Sequence, residues 1–222
     1  MDETHINNLS PQAAHLQFDA VICAFGSLRV VDDVNLEIHP GEHVALIGSN
    51  GSGKTTLLRA ILGLHPLSAG QIKLDFTSAL SAAEWNSRRS RIAWMPQRQS
   101  TGQFPLLVHE LLASSSSPES ALLHAQELGI ESLLNRPLHS LSGGQLQRAF
   151  LARALGSLDG GAGLLLADEP TAALDFDGQV KVAEVLRGLS ATVLVVTHDR
   201  AMAERCQRVM EMAGGRLREV RA

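Results

Sequence analysis

Four short runs of consecutive, mostly apolar residues punctuate the chain, at positions 43–47, 91–95, 163–167 and 192–197. A run apolar on both faces of its pleat is what a strand buried in a parallel sheet needs. The first, third and fourth runs end directly at polar or charged residues, and functional groups of open α/β sheets sit at that carboxyl edge. Between the runs, residues 54–64, 119–128, 144–155 and 179–189 carry apolar positions at helical spacing. The alternation predicts an α/β sheet with crossover helices. Three outer segments, 16–22, 34–38 and 71–75, alternate instead and predict antiparallel strands beside the main sheet. Residues 208–212 and 216–220, joined by Gly214-Gly215, predict a C-terminal hairpin. Residues 98–140 show helical patterning without a strand signal, and the run Ser114 to Ser117 before Pro118 reads as a surface turn.

With 222 residues the chain reads as one domain, long enough to bury a substantial core. Residues 1–13 read as a disordered lead-in: the N-terminus is polar and acidic, without the basic start and apolar stretch of a signal peptide. No apolar run approaches the ~18 residues of a membrane span, so the expected location is the cytoplasm, with any membrane role reached through a partner. A net charge of −4 gives no electrostatic case for nucleic acid. Cys23 and Cys206 lie far apart without metal-type spacing and read as buried free thiols of a reducing compartment. The histidines other than His198, among them His65, His109, His124 and His139, show no ligand spacing and read as surface residues.

Two glycine-bearing stretches carry chemistry. Gly48-Ser49-Asn50-Gly51-Ser52-Gly53-Lys54-Thr55, followed by Thr56, fits G-x-x-x-x-G-K-[ST] and lies between a predicted strand and a predicted helix. Glycines let the backbone curl until successive N–H groups converge on phosphates, with a helix N-terminus behind them. Lys54 would reach the β- and γ-phosphates, and the Thr55 hydroxyl would ligate Mg²⁺. A second turn, Leu141-Ser142-Gly143-Gly144-Gln145, also opens a helix. Ser142 suits its N-cap, and the two glycines leave backbone N–H groups unobstructed. One nucleotide does not need two such loops from one chain. A third signal is the apolar strand ending in Asp168-Glu169. Asp168 would hold Mg²⁺ through water, and Glu169 would orient or deprotonate the attacking water.

In this order the motifs resemble those of the nucleotide-binding subunits of ABC transporters, over nearly the whole chain. Gly48 to Thr55 is similar to Walker A, Gln97 to the Q-loop glutamine, and Leu141 to Gln145 to the family signature. Asp168 and Glu169 resemble Walker B, Ala173-Leu174-Asp175 the D-loop, and His198 the switch histidine; Phe25 stands where the family places an adenine-stacking aromatic. The resemblance implies a P-loop NTPase with a mainly parallel central sheet, an antiparallel β subdomain and a helical subdomain at about 98–140, forming a single nucleotide-binding domain. It implies an ATPase using ATP and Mg²⁺, with Glu169, His198 and Gln97 catalytic and Gln97 also near the metal. It further implies a head-to-tail homodimer with two sandwiched ATP molecules, each held by Walker A of one subunit and Ser142 to Gly144 of the other. Integral membrane permease subunits would dock near residues 98–112, with an extracellular substrate-binding protein in the full system. The run Pro96-Gln97-Arg98-Gln99-Ser100 followed by Phe104-Pro105 is similar to importers of zinc, manganese and iron chelates. The alternatives are a soluble ABC ATPase serving assembly or cell division, and an ATP-binding regulatory subunit without turnover.

Overall fold

A computed structural model of the chain describes residues 13–97 and 105–220. The expected lead-in falls almost wholly outside the described residues, and so do residues 98–104 of the expected docking segment. The chain begins with two long antiparallel strands, β1 (Leu16–Phe25) and β2 (Leu28–Ile38), followed by β3 (His43–Ile47) and helix α1 (Lys54–Ile61). Then come β4 (Ala69–Leu74), β5 (Thr77–Ser78), α2 (Ala82–Ser90) and β6 (Ile92–Met95). Helices α3 (Val108–Ala113), α4 (Pro118–Glu127) and α5 (Gly143–Asp159) lead to β7 (Leu164–Asp168). The last third holds α6 (Phe176–Arg187), β8 (Thr192–Val196), α7 (Arg200–Ala203), β9 (Arg208–Ala213) and β10 (Arg216–Val220).

Two sheets result. The larger has the order β10-β9-β3-β8-β7-β6 and is parallel except for the terminal β9–β10 hairpin. The smaller, β2-β1-β4-β5, is antiparallel. The run-like strands are apolar on both faces because two separate cores cover them. On β7, Leu165 and Ala167 face one core while Leu164 and Leu166 face the other; on β8, Val193 and Val195 oppose Leu194 and Val196. The first core is closed by α3, α4 and α5, the second by α1 and the antiparallel sheet. Consecutive parallel strands therefore deliver their C-terminal ends to one edge, and the loops leaving β3, β6, β7 and β8 meet there.

Helix α1 stops short of the expected residue 64, because the chain turns at Gly63. Helix α2 carries no apolar stripe and was not expected from the pattern. It is set by a capping box, Ser81 with Glu84, and by the buried Arg88, which donates to the carbonyls of Ile72 and Thr77, both at 2.8 Å. Cys23 is buried and Cys206 half-buried, neither in a disulfide, and burial pushes both thiols up to about 11. Among the described residues, the reading of the remaining histidines as surface residues fails at two positions. His15 and His43 are buried, His43 bonding the Leu189 carbonyl at 3.1 Å. No helix among the described residues is long and apolar enough to cross a membrane.

Candidate functional site

The loop after β3 folds as its glycines demand. Gly48 and Gly53 have φ of +149° and +111°, a region that side chains rarely adopt. A Cβ on Gly48 would run into the carbonyl of Met212, and one on Gly53 into that of Val30. The loop thereby wraps around the Lys54 side chain, whose Nζ donates to the carbonyls of Gly48 (2.8 Å) and Ser49 (2.9 Å). Helix α1 starts at Lys54 with no acidic residue in its first turn, so its positive end is left for an anion.

Facing this loop, β7 presents Asp168 and Glu169. A cleft of about 380 Å³ is lined by Asn50, Gly51, Gly53 and Lys54 to Thr56 on one side. Gln97, Asp168 and Glu169 line it on the other, with Val30 and Val196 beneath. The Thr55 hydroxyl donates to Asp168 Oδ2 at 3.4 Å, while Asp168 Oδ1 is buried without a hydrogen-bond partner. Burial, reinforced by the neighbouring Glu169 charge, raises the Asp168 carboxyl to about 6 against the pull of the Thr55 hydrogen bond and of Lys54 and Arg59. Ser52 Oγ is likewise buried and unpartnered. This is a cleft whose polar atoms await a ligand. Its hydroxyl, carboxylate and amide oxygens, one of them orphaned, are the donor set of a hard cation such as Mg²⁺, and the lysine and loop N–H groups complement phosphate.

Glu169 is the most tightly determined residue here. It sits at φ +54°, a left-handed conformation costing a non-glycine roughly 1–3 kcal/mol. Several bonds hold it there. Its N–H donates to the Val196 carbonyl at 2.8 Å, and its own carbonyl accepts from Gln147 Nε2 at 3.0 Å. The carboxylate meets His198 Nδ1 at 2.8 Å, the His198 N–H at 3.4 Å and the Thr197 hydroxyl at 3.5 Å. The Glu169 side chain is buried whereas the His198 ring is 74% exposed, so the pair spans the boundary of the cleft. Asp199 accepts from the Ala201 N–H at 2.9 Å and caps α7.

The other glycine turn lies elsewhere. Ser142 caps α5 with a reciprocal box: its hydroxyl accepts from the Gln145 N–H (3.3 Å), and its own N–H donates to Gln145 Oε1 (3.0 Å). Ser142, Gly143 and Gly144 line a second cleft of about 560 Å³ with Ala173, Leu174 and Asp175, and this cleft shares no lining residue with the first. Asp175 caps α6 through the Gly178 N–H at 3.0 Å. Leu141 and Gln145 support the turn without lining that cleft. The structure thus brings Lys54, Thr55, Gln97, Asp168 and Glu169 together, with His198 bonded to Glu169. It keeps Ser142 to Gly144 and Asp175 apart from them. Phe25 lies outside the lining of the first cleft; its ring is exposed and tilts against His65 at 4.6 Å.

One functional residue had no sequence signal strong enough to find it. Gln147 is buried on α5, and its amide holds the backbone of Glu169. Its position five residues after Ser142, on a helix whose inner face is otherwise apolar, is the only clue the chain offers.

A family model described as ABC transporter matches residues 31–172. The chain is 38% identical over 218 residues to the hemin import ATP-binding protein HmuV of Rhodopseudomonas palustris, covering 91% of this chain and 80% of that protein. It is 36% identical over 193 residues to the zinc import ATP-binding protein ZnuC of Pseudomonas putida, covering 84% and 69% respectively. Among solved structures, the ATP-binding cassette MJ0796, captured as a dimer in a post-hydrolysis state with ADP and Pi, superposes with a TM-score of 0.79 at 28% identity. That match covers 93% of this chain and 99% of the other.

Proposed function

Because this chain belongs to the ABC transporter family, as one of its ATP-hydrolysing subunits, we propose that it works as a two-fold dimer whose two ATP sites are each assembled from both copies. The observation that carries this reading is the separation of the two glycine turns. The phosphate loop and the Ser142 turn line different clefts of one chain, although both offer N–H groups at a helix start. A second copy, related by a two-fold axis, can bring its Ser142 turn over the first copy's phosphate loop, and the symmetry closes both sites together.

In each site the loop N–H groups and Lys54 bind the phosphates. When the γ-phosphate enters, it competes with the carbonyls of Gly48 and Ser49 for the Lys54 ammonium. Thr55, Asp168 and Gln97 would hold Mg²⁺, which would supply charge neutralisation of the phosphates. Glu169 accepts the proton of the attacking water as its oxygen bonds to the γ-phosphorus and the bond to the β–γ bridging oxygen breaks, leaving ADP and phosphate. His198 holds the carboxylate that does this. With Nδ1–H donating to Glu169, Nε2 is left on the exposed side of the ring. Ser142, Gly143 and Gly144 of the second copy complete the donor shell and exclude water. Phe25, exposed at the end of β1, offers a ring face to the base.

The family has membrane-embedded partners, so the dimer would act on permease subunits, through the segment that includes α3. The hemin and zinc import names of the relatives support a metal ion or metal chelate as the cargo, taken inward, with a substrate-binding protein outside the membrane.

The test is Glu169→Gln. The amide keeps the shape of the carboxylate but accepts no proton. It is expected to retain ATP binding, lose at least a hundredfold in turnover and accumulate as a dimer with Mg-ATP in size-exclusion chromatography. A variant that remains monomeric with saturating Mg-ATP overturns the shared-site reading.

A further inference from the structure

His15, Glu37 and His39 stand together at the far end of the antiparallel pair. Their spacing in sequence hides this. The register pairs Leu16 with Ile38 and Gln17 with Glu37, so His15, just before β1, falls opposite His39, just after β2. Alternation then places Glu37 on the same face as His39, while Leu36 and Ile38 turn into the core. One ligand atom from each of the three lies within 4.8 Å of the others.

We propose that these three side chains form a binding site for a zinc-class divalent cation, separate from the nucleotide cleft. Two imidazoles and one carboxylate are a donor set suited to Zn²⁺ and its neighbours Co²⁺, Ni²⁺ and Cu²⁺ rather than to Mg²⁺ or Ca²⁺. Zinc bonds of about 2.0–2.2 Å bring donors to within roughly 4 Å of one another. The remaining approach is small, and two of the three side chains are free to make it: Glu37 and His39 are exposed.

The third is fixed in advance. His15 is buried, its ring stacks on Phe76 with centroids 4.4 Å apart and planes 14° from parallel, and its backbone N–H donates to Asp75 Oδ1 at 3.0 Å. His15 Nε2 meets Glu37 Oε1 at 2.8 Å, while Nδ1 is buried without any hydrogen-bond partner. A buried imidazole held rigidly by its ring stack presents Nε2 in a fixed direction, already facing the first carboxylate. A cation on the Nε2 lone pair that faces Glu37, with Glu37 and His39 turning onto it and water at the fourth position, makes a four-coordinate site. The charges around it permit this. Arg208 is committed to Glu42 and Glu219 and donates to the Glu37 backbone carbonyl, not to its carboxylate.

The experiment uses the untagged, full-length, nucleotide-free protein, stripped with chelator and titrated with Co²⁺, followed by Zn²⁺. The expected result is one equivalent of Co²⁺ per chain with the intense visible d–d absorption of a four-coordinate site, bleached by one equivalent of Zn²⁺. Glu37→Gln and His39→Ala, both at exposed positions and checked for unchanged thermal melting, should each weaken binding at least tenfold. Asp168→Asn and His198→Ala should leave the titration unchanged. Absence of the four-coordinate spectrum, a titration unaffected by His39→Ala and Glu37→Gln, a thiolate charge-transfer band implicating Cys23 or Cys206, or loss confined to His198→Ala would each overturn the assignment.

Discussion

Replacing Asp168 by asparagine is expected to stabilise the nucleotide-free protein while abolishing its use of Mg²⁺. In the folded chain the carboxyl is buried at the end of β7, one oxygen unpartnered, with the Glu169 carboxylate beside it, and its pKa stands at about 6 against an ordinary 3.8. The raised value means that the fold prefers the proton-bound form. Stability from this group is therefore present below about pH 4 and lost as pH rises through about 6. At 1.36 kcal/mol per unit the full shift corresponds to about 3 kcal/mol. Solvent at the mouth of the cleft screens part of that, so about 1–2 kcal/mol is the expected gain above pH 7. Asparagine still accepts from Thr55 and carries no charge. For a chain of this size the gain is about 3–6 °C in melting temperature. Thermal melts of both proteins in chelator at pH 8 and pH 5 measure it, and the gap should shrink to about half at pH 5. Adding Mg-ATP should then raise the wild-type midpoint more than that of the variant. A variant no more stable than wild type at pH 8, or a gap indifferent to pH, refutes the view of Asp168 as a strained, ligand-awaiting charge.

The remaining expectations concern coupling and architecture. Ser142→Arg should abolish hydrolysis while leaving ATP affinity, measured with a fluorescent analogue, within about threefold, since the turn lies outside the cleft of its own chain; parallel loss of binding would contradict assembly between copies. Gln147→Leu keeps the volume but leaves the Glu169 carbonyl without its amide donor, a loss of about 1–3 kcal/mol in hydrogen bonding. It should lower kcat about tenfold with little change in KM for ATP, and a defect confined to KM would refute the positioning role. Arg88→Met strips the buried Ile72 carbonyl and the part-buried Thr77 carbonyl of their donor and should cost about 1–3 kcal/mol in urea unfolding, with ATPase activity per folded molecule preserved.

The edge that carries the first cleft was legible because its residues are local in sequence. A strand, a glycine turn and a helix follow one another from 43 to 61, and Asp168-Glu169 ends an apolar run, so periodicity alone put them at a sheet edge. Helix α2 was not legible by that route. It packs through Trp85 and a buried arginine rather than an aliphatic stripe, and only Ser81 with Glu84 three residues later marked its start. His15 was misread for a different reason: what buries it, the Phe76 ring and the antiparallel register, comes from residues 61 positions away and across a strand pair. Gln147 carried no pattern because a polar residue facing inward on a helix becomes meaningful only when its partner, a backbone carbonyl bent by a left-handed φ, is in place.

Helix α5 has a property that belongs to neither cleft alone. Its first turn carries Ser142, and little more than one turn further on it grips the backbone of Glu169 through Gln147. In the proposed two-fold assembly the start of this rod would touch the neighbour's nucleotide while its body would hold the base that serves its own. A shift of the rod as one site fills is felt at the carboxylate of the other within about 10 Å of helix. If the sites are shared as proposed, they would act as a reciprocal pair, and hydrolysis by the dimer should rise with ATP concentration more steeply than for two independent sites.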